Sequence, residues 1–275
     1  MQTYSLPQTN PDSVVLLQIT DTHLFANESG ALLGVATQQS FHAVLNAVDA
    51  STRKFDAIVA TGDISQDHTP DSYQRFAEGI ARWEQPCFWL PGNHDYQPTM
   101  VTTLANGAGI SDTKHILVGD AWQVVLLDSQ VPGVPHGELS DYQLEWLERT
   151  LSAHASRHTL IFLHHHPMPS GCTWLDQHSL RNSHMLEAVL QAFPLAHTLV
   201  CGHIHQDLDL NWNGRRLLST PSTCVQFKPH CTNFTIDTVP PGWRWLTLGP
   251  DGSVETEVQR LQTSRFTPDL DSEGY

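Results

Sequence analysis

Basic residues are scarce in this chain: Lys and Arg number 14 against 29 Asp and Glu, leaving a formal charge of −15 over 275 residues. Phosphate neutralisation by Lys and Arg dominates the binding of polyanions, so this balance argues against a nucleic-acid reader. A small anionic substrate stays compatible if local positive charge, such as metal ions, reverses the field at a site. Long apolar runs are absent, and none approaches the roughly 20 residues a membrane span requires. The opening MQTYSLPQTNPDS has neither a basic patch nor the apolar core of a secretory signal. Cysteine is sparse and unpatterned: Cys87, Cys172, Cys201, Cys224 and Cys231 are odd in number and form no C-x-x-C pair. They read as reduced thiols, mostly in the core. These absences lead us to expect a cytoplasmic protein with no nucleic-acid partner, no membrane partner and no obligate protein partner.

Histidine is what the chain has in excess, with 17 copies outnumbering Lys and Arg together. The length allows one large domain or two small ones. With no repeats and no long linker, we expect a single domain over 1–265 and a loose, polar, acidic tail over 266–275. Short apolar runs recur: VVLLQI from Val14, AIVA from Ala57, CFWL from Cys87, WQVVLL from Trp122, TLIFL from Thr159 and TLVC from Thr198. They are continuous rather than alternating, as strands buried on both faces should be. Helix-like stretches lie between several of them. TPDSYQRFAEGIARW places Pro70 near a helix start, and SDYQLEWLERTL sets Ser140 and Gln143 in capping-box positions. Strands alternating with helices argue an α/β fold. After about residue 205 the pattern changes to hairpins, one around Asn213-Gly214 and one around a Pro-Asp-Gly turn, and this end is expected to form a second sheet as a meander.

Polar residues of a narrow kind end the apolar runs. QITDTH gives Asp21 and His23, VATGD gives Asp63, WLPGNHD gives Asn93, His94 and Asp95, IFLHHHP gives His164 to His166, and LVCGHIH gives His203 and His205. Ligands of open α/β sheets bind beyond the carboxyl ends of strands, so these clusters should meet at one rim. Each D-x-H or H-x-H pair skips one residue, which in an extended segment points both side chains the same way. Asp21, His23, Asp63, Asn93, His164, His203 and His205 are too many ligands for one catalytic ion with an open position. They suit two ions sharing a carboxylate, with Asp63 the natural bridge. Mixed nitrogen and oxygen ligands without thiolate favour Mn, Fe, Zn or Co over Mg. Within the histidine triplet, His164 is the candidate because it follows the apolar run directly; His165 is the alternative.

D-x-H, G-D, G-N-H-D, a strand-end His and G-H-x-H, in that order from 21 to 205, resemble the calcineurin-like metallophosphoesterase superfamily. More narrowly, GNHDYQP, VPHGELS, LHHHPMPSGCTWLDQHSLRN, CGHIHQDLDLNWNGRRLLSTPSTCVQFKPH and the SEGY ending resemble the bacterial class III 3′,5′-cyclic AMP phosphodiesterases nearly end to end. The resemblance implies two packed mixed β-sheets flanked by helices, in four α/β/β/α layers. It implies two divalent ions, Fe²⁺ or Mn²⁺ ahead of Zn²⁺ or Co²⁺. The first would sit on Asp21, His23, Asp63 and His205, the second on Asp63, Asn93, His164 and His203. It further implies substrate contacts from His23, Asp63, Asn93, His94, His164 and His205. His94 would assist the leaving oxygen and Asp95 would orient His94; where the superfamily often has GNHE, this chain has Asp95.

The expected reaction is hydrolysis of cyclic AMP to 5′-AMP, with a hydroxide shared by the two ions attacking phosphorus. Metal ions lower the pKa of water from about 16 to roughly 7 and clamp phosphoryl oxygens. Other readings fit less well. HIHQD starts like the H-x-H-x-D-H of metallo-β-lactamases, but Leu208 stands where the last His belongs. Another small phosphodiester, such as a glycerophosphodiester, a dinucleoside polyphosphate or a cyclic dinucleotide, would use the same ligands. A non-catalytic scaffold would be expected to have lost some of them. His42, His68, His115, His154, His158 and His230 read as ordinary surface or core residues, and Trp83, Trp89, Trp122 and Trp146 as core or helix-face residues. The loops SGCTWLDQHSLRN and PSTCVQFKPH read as ordinary loops by themselves, and the family resemblance implies that they enclose the nucleotide.

Overall fold

A computed structural model describes residues 2–7, 10, 12–272 and 274. Glu273 and Tyr275 of the SEGY ending lie outside the described residues.

The continuous apolar runs become strands buried on both faces. Leu16, Val59, Phe88 and Leu90 point inward and meet Val124, Leu126, Leu160, Phe162 and Val200 from the opposite sheet. Their neighbours along the chain, Leu17, Ile19, Ile58, Ala60 and Trp89, turn outward and pack with Phe41, Val44, Tyr73 and Phe76 of covering helices. On the far side Val125, Ile161 and Leu199 pack with Leu144, Leu147 and Leu186. The layers therefore run helix, sheet, sheet, helix. Each of the large side chains between the sheets stabilises the fold by roughly 1.5–3 kcal/mol relative to exposure.

One sheet has the strand order Val254–Arg260, Gly242–Leu248, Val14–Ile19, Ala57–Thr61, Cys87–Leu90, Ile110–Ser111. Its last four strands are parallel and its first two join antiparallel. The other sheet runs Thr3–Leu6, His115–Val118, Trp122–Leu126, His158–Phe162, Thr198–Cys201, Arg215–Ser219, Leu208–Trp212. Its centre, from Trp122 to Ser219, is parallel. The C-terminal hairpins do not build a second sheet of their own, contrary to the expectation from their pattern. The 208–219 hairpin extends the Thr198–Cys201 edge, while the 242–260 hairpin joins Val14–Ile19, pairing Leu246 with Leu16 and Leu248 with Val14. Leu246 and Leu248 thereby reach the core between the sheets, which a free meander would leave wet.

Helix starts follow local chemistry. Thr69 caps Pro70–Ile80 by accepting from the Ser72 amide at 3.3 Å, with Pro70 at the first helical position. Ser140 caps Asp141–Ala153 by accepting from the Gln143 amide at 3.2 Å, but the Gln143 carboxamide oxygen accepts from the Asp128 amide. Asn213 and Gly214, both at positive φ (51° and 86°), turn the first hairpin. In the C-terminal stretch Phe266 is buried, and the Asp269 amide donates to the Leu33 carbonyl at 2.8 Å. The cysteines are unpaired, and all but Cys231 are buried. Among the described residues no helix is long and apolar enough to cross a membrane.

Candidate metal centre

The carboxyl ends of strands Val14–Ile19, Ala57–Thr61, Cys87–Leu90, His158–Phe162 and Thr198–Cys201 open onto one rim, and the expected clusters meet there. Asp21, His23 and His205 offer ligand atoms all within 4.8 Å of one another, as do Asp21, Asp63 and His164. His205 Nε2 lies 3.3 Å from Asp21 Oδ1 and 3.3 Å from His23 Nε2. His164 Nε2 lies 3.2 Å from both Asp63 Oδ2 and Asn93 Oδ1. Asp63 Oδ1 accepts from the His94 amide at 2.8 Å, so Oδ2 is the oxygen left facing both groups, 3.9 Å from His23 Nε2.

Extended backbone does not bring the pairs together as their spacing suggested. Asp21, His23, Asp63, His203 and His205 all sit in the left-handed region, with φ of 53°, 44°, 49°, 67° and 51°. Each such non-glycine residue costs about 1–2 kcal/mol, and strain of this kind collects at functional sites. Close approach adds a second constraint. A Cβ on Gly92 would fall 2.1 Å from Asp63 Oδ1, and one on Gly202 would fall 2.2 Å from Thr20 Oγ1. The glycines of G-N-H and G-H-x-H let the loops close on the two aspartates.

Outer hydrogen bonds orient the imidazoles. His164 Nδ1 faces the Thr61 carbonyl at 2.7 Å and His205 Nδ1 the Val225 carbonyl at 2.9 Å. A carbonyl only accepts, so each Nδ1 carries a proton and each ring turns its Nε2 inward. His23 Nδ1 faces Gln66 Oε1 at 2.6 Å in the same sense. Burial drives His23 down to about 3, against the pull of Asp63, so it is neutral at pH 7. Nε2 of His23 and Nε2 of His205 thus face one another beside the Asp21 carboxylate, buried and within the reach of a single cation. Buried nitrogen and oxygen acceptors without thiolate fit a transition-metal ion at each group. In the chain without metal, burial lowers His164, but Asp63 and then Asp21 outweigh it and raise it to about 9.

The triplet splits three ways. His164 faces Asp63 and Asn93, whereas His165 Nδ1 meets Ser129 Oγ at 2.8 Å and His166 Nε2 meets Asp176 Oδ1 at 3.3 Å. His203 joins His164 and His165 in a group within 4.8 Å, and the Nε2 atoms of His165 and His203 are buried without a hydrogen-bond partner. His94 lies edge-on to His23, ring centroids 5.1 Å apart, and burial holds it below its ordinary range. Asp95 is buried and accepts from the amides of Gly92, Ile64 and Ser65 at 2.9–3.1 Å, stapling the Asn93-His94 turn to the Asp63 loop. Burial, then the nearby Asp63, pushes Asp95 up to about 7.

Sequence reading did not single out Gln66 or Gln130. Gln130 Nε2 donates to the carbonyls of Gly92 at 2.6 Å and Asp95 at 2.5 Å, holding the same turn from the other side. Neither glutamine carries a local signal, since each is defined by a partner distant in sequence. A cavity of about 490 Å³ opens beside the cluster, lined by Asn93, His94 and His203 of the cluster and by Val134, Trp174, His178 and Phe234. His68, expected to be ordinary, also borders it, as does Gly274 of the C-terminal stretch.

The profile of the calcineurin-like phosphoesterase family matches residues 14–207. The chain is 61% identical over 271 residues to the 3′,5′-cyclic adenosine monophosphate phosphodiesterase CpdA of Escherichia coli, covering 98% of both chains. It is 42% identical to the Pseudomonas aeruginosa protein of the same name, covering 96% of each. Among solved structures, a dimetal phosphatase from Danio rerio superposes with a TM-score of 0.62 at 14% identity, over 90% of this chain and 99% of the other, a likeness of fold.

Proposed function

Because this chain belongs to the calcineurin-like phosphoesterase family, we propose that it hydrolyses 3′,5′-cyclic AMP to 5′-AMP at a two-metal centre and so lowers the level of that nucleotide. One observation carries the chemistry: inward-facing ligand atoms of Asp21, His23, Asp63, Asn93, His164 and His205 converge beside a cavity of about 490 Å³. The substrate rests on the end-to-end similarity to cyclic-AMP phosphodiesterases.

Asp21, His23, Asp63 and His205 would hold one ion, and Asp63, Asn93, His164 and His203 the other. Fe²⁺ and Mn²⁺ suit this donor set best. The ions, when bound, supply a water acidic enough to attack at neutral pH and a clamp on the phosphoryl oxygens. The residues of the site would then bind an anion within a chain whose formal charge is −15, because bound divalent ions would invert the local field. Asn93 and His94 are the half-exposed members of the turn and present their side chains to the cavity. As attack on phosphorus breaks its bond to the 3′-oxygen, charge grows on that oxygen. His94, neutral at pH 7 because burial lowers it, offers a ring N–H to it. Help of this kind contributes about 10²–10⁴-fold. Asp95 and Gln130 keep the turn at the depth this contact requires.

The test is steady-state hydrolysis of cyclic AMP by protein loaded with Mn²⁺ or Fe²⁺, products separated by chromatography, beside an Asn93→Ala variant. We expect 5′-AMP from the wild type and its loss in the variant. Cleavage of a generic aryl phosphodiester with cyclic AMP untouched would overturn the substrate; inactivity on both with two metals bound would overturn the enzyme.

A further inference from the structure

The cavity beside the metal centre has two chemically different ends. Asn93, His94 and His203 border one, while Trp174 and Phe234 border the other, and no Asp, Glu, Lys or Arg is among the described residues lining it. A flat, uncharged, polarisable group suits the outer end better than a second anion or a cation.

The aromatic end is fixed to the centre by ring contacts. The Phe227 ring lies flat on the His205 imidazole, centroids 4.4 Å apart and planes 18° apart. Trp174 stands edge-on to Phe227 at 4.9 Å and to Phe234 at 5.0 Å. Trp174 rides on the single helical turn Thr173–Asp176, which is pinned at both ends. The Thr173 amide donates to the Cys231 carbonyl at 3.0 Å. Asp176 Oδ1 accepts from the Ser170 amide and hydroxyl at 2.7 Å each and meets His166 Nε2 at 3.3 Å. The His166 ring in turn stacks on His203, centroids 5.7 Å and planes 24° apart. Two independent chains of contact, through Phe227 to His205 and through Asp176 and His166 to His203, therefore set how far Trp174 stands from the proposed metal ligands.

That fixed span matters for a cyclic nucleotide. Its phosphate is fused to the ribose, so the base has one rotatable bond left and a nearly constant reach from phosphorus. Resting on the proposed hydrolysis of cyclic AMP, we propose that Trp174 and Phe234 form the base subsite, an aromatic wall on which the nucleobase stacks while the phosphate engages the metal centre. Preorganisation of the wall means little ordering is needed on binding. Stacking uses a π-face, which every base has, so the wall selects for a base rather than for adenine in particular.

Kinetics with two substrates test this: cyclic AMP, and methyl riboside 3′,5′-cyclic phosphate, which keeps the cyclic diester and lacks the base. Metal-loaded wild type, Trp174→Ala, Trp174→Phe and Phe234→Ala are compared, with metal content and circular dichroism confirming that each is folded. Loss of a stacking partner is expected to lower the ratio of kcat/KM for cyclic AMP to that for the base-free ester roughly 5- to 150-fold, chiefly through KM. Trp174→Phe should restore most of the ratio. An unchanged ratio, whether both substrates lose alike or neither does, overturns the wall as a base subsite; if Trp174→Ala does not fold, the ratio in Phe234→Ala, at a half-exposed position, decides the matter in the same way. Wild-type turnover of the base-free ester without turnover of cyclic AMP would instead overturn the proposed function itself.

Discussion

Binding of the ion proposed for His164 should expel a proton, and the cost of doing so can be worked from the geometry. In the chain without metal, His164 Nε2 lies 3.2 Å from Asp63 Oδ2 while Nδ1 donates to the Thr61 carbonyl at 2.7 Å. Burial disfavours the charged ring, but Asp63 and Asp21 prevail and place it at about 9. At pH 7 the ring is an imidazolium, and its Nε2 proton occupies the place an ion would take. Two pH units of competition weaken apparent affinity about 100-fold, equivalent to about 2.7 kcal/mol. The free form holds the proton below pH 9 and the metal-bound form does not, so affinity rises about tenfold per pH unit from pH 6 toward 9 and then levels off. The ion proposed for His23 differs, because that ring, at about 3, is already neutral. Calorimetric titration of metal-free protein with Mn²⁺ at pH 6.5, 7.5 and 8.5, in buffers of differing ionisation enthalpy, counts the protons. We expect at least one released by the second ion at pH 7.5. Zero protons, or affinity flat from pH 6.5 to 8.5, would refute the assignment of His164 as a ligand that trades a proton for a metal.

Other perturbations give separate readings. His94→Ala should retain both metals and lose about 10²–10⁴-fold in kcat on cyclic AMP, and full activity in that variant would remove His94 from the reaction. Gln130→Ala removes two hydrogen bonds to the Gly92 and Asp95 carbonyls and should cost about 1–3 kcal/mol in urea melts, with weakened binding of the second ion; an unchanged midpoint would show that the turn stands without it. Phe88→Ala, deep between the sheets and away from the rim, should cost about 3–5 kcal/mol while the folded fraction keeps its kcat. Metal at 100 times its Kd should stabilise the wild type by about 2.7 kcal/mol, read as a rise in Tm that chelator abolishes.

The α/β pattern was legible because the inner strands are buried on both faces, which leaves continuous apolar runs such as Val14–Ile19 and Cys87–Leu90 with no competing interpretation. The C-terminal hairpins were legible as hairpins but not in their placement. Nothing local in Gly242–Leu248 says that it pairs with Val14–Ile19, more than 200 residues away in sequence; the shared core between the sheets decides it. Likewise the D-x-H and H-x-H pairs were found by their residue types, while their convergence came from left-handed backbone at Asp21, His23, His203 and His205 and not from extended strands.

By itself the sequence determined the candidate donors and their location at strand ends, because parallel strands deliver their carboxyl ends to one rim and ligand chemistry is written in the side chains. Tertiary structure decided which donors face inward. Thr61 and Val225 orient the His164 and His205 rings, Gln66 orients His23, and Asp95 with Gln130 sets the Asn93-His94 turn. It also decided what lies beside the metals, bringing Trp174 and Phe234 to one end of the cavity from loops some 60 residues apart. Hydrogen-bond partners and cavity walls are relations between distant segments, and a relation of that kind exists only once the chain has folded.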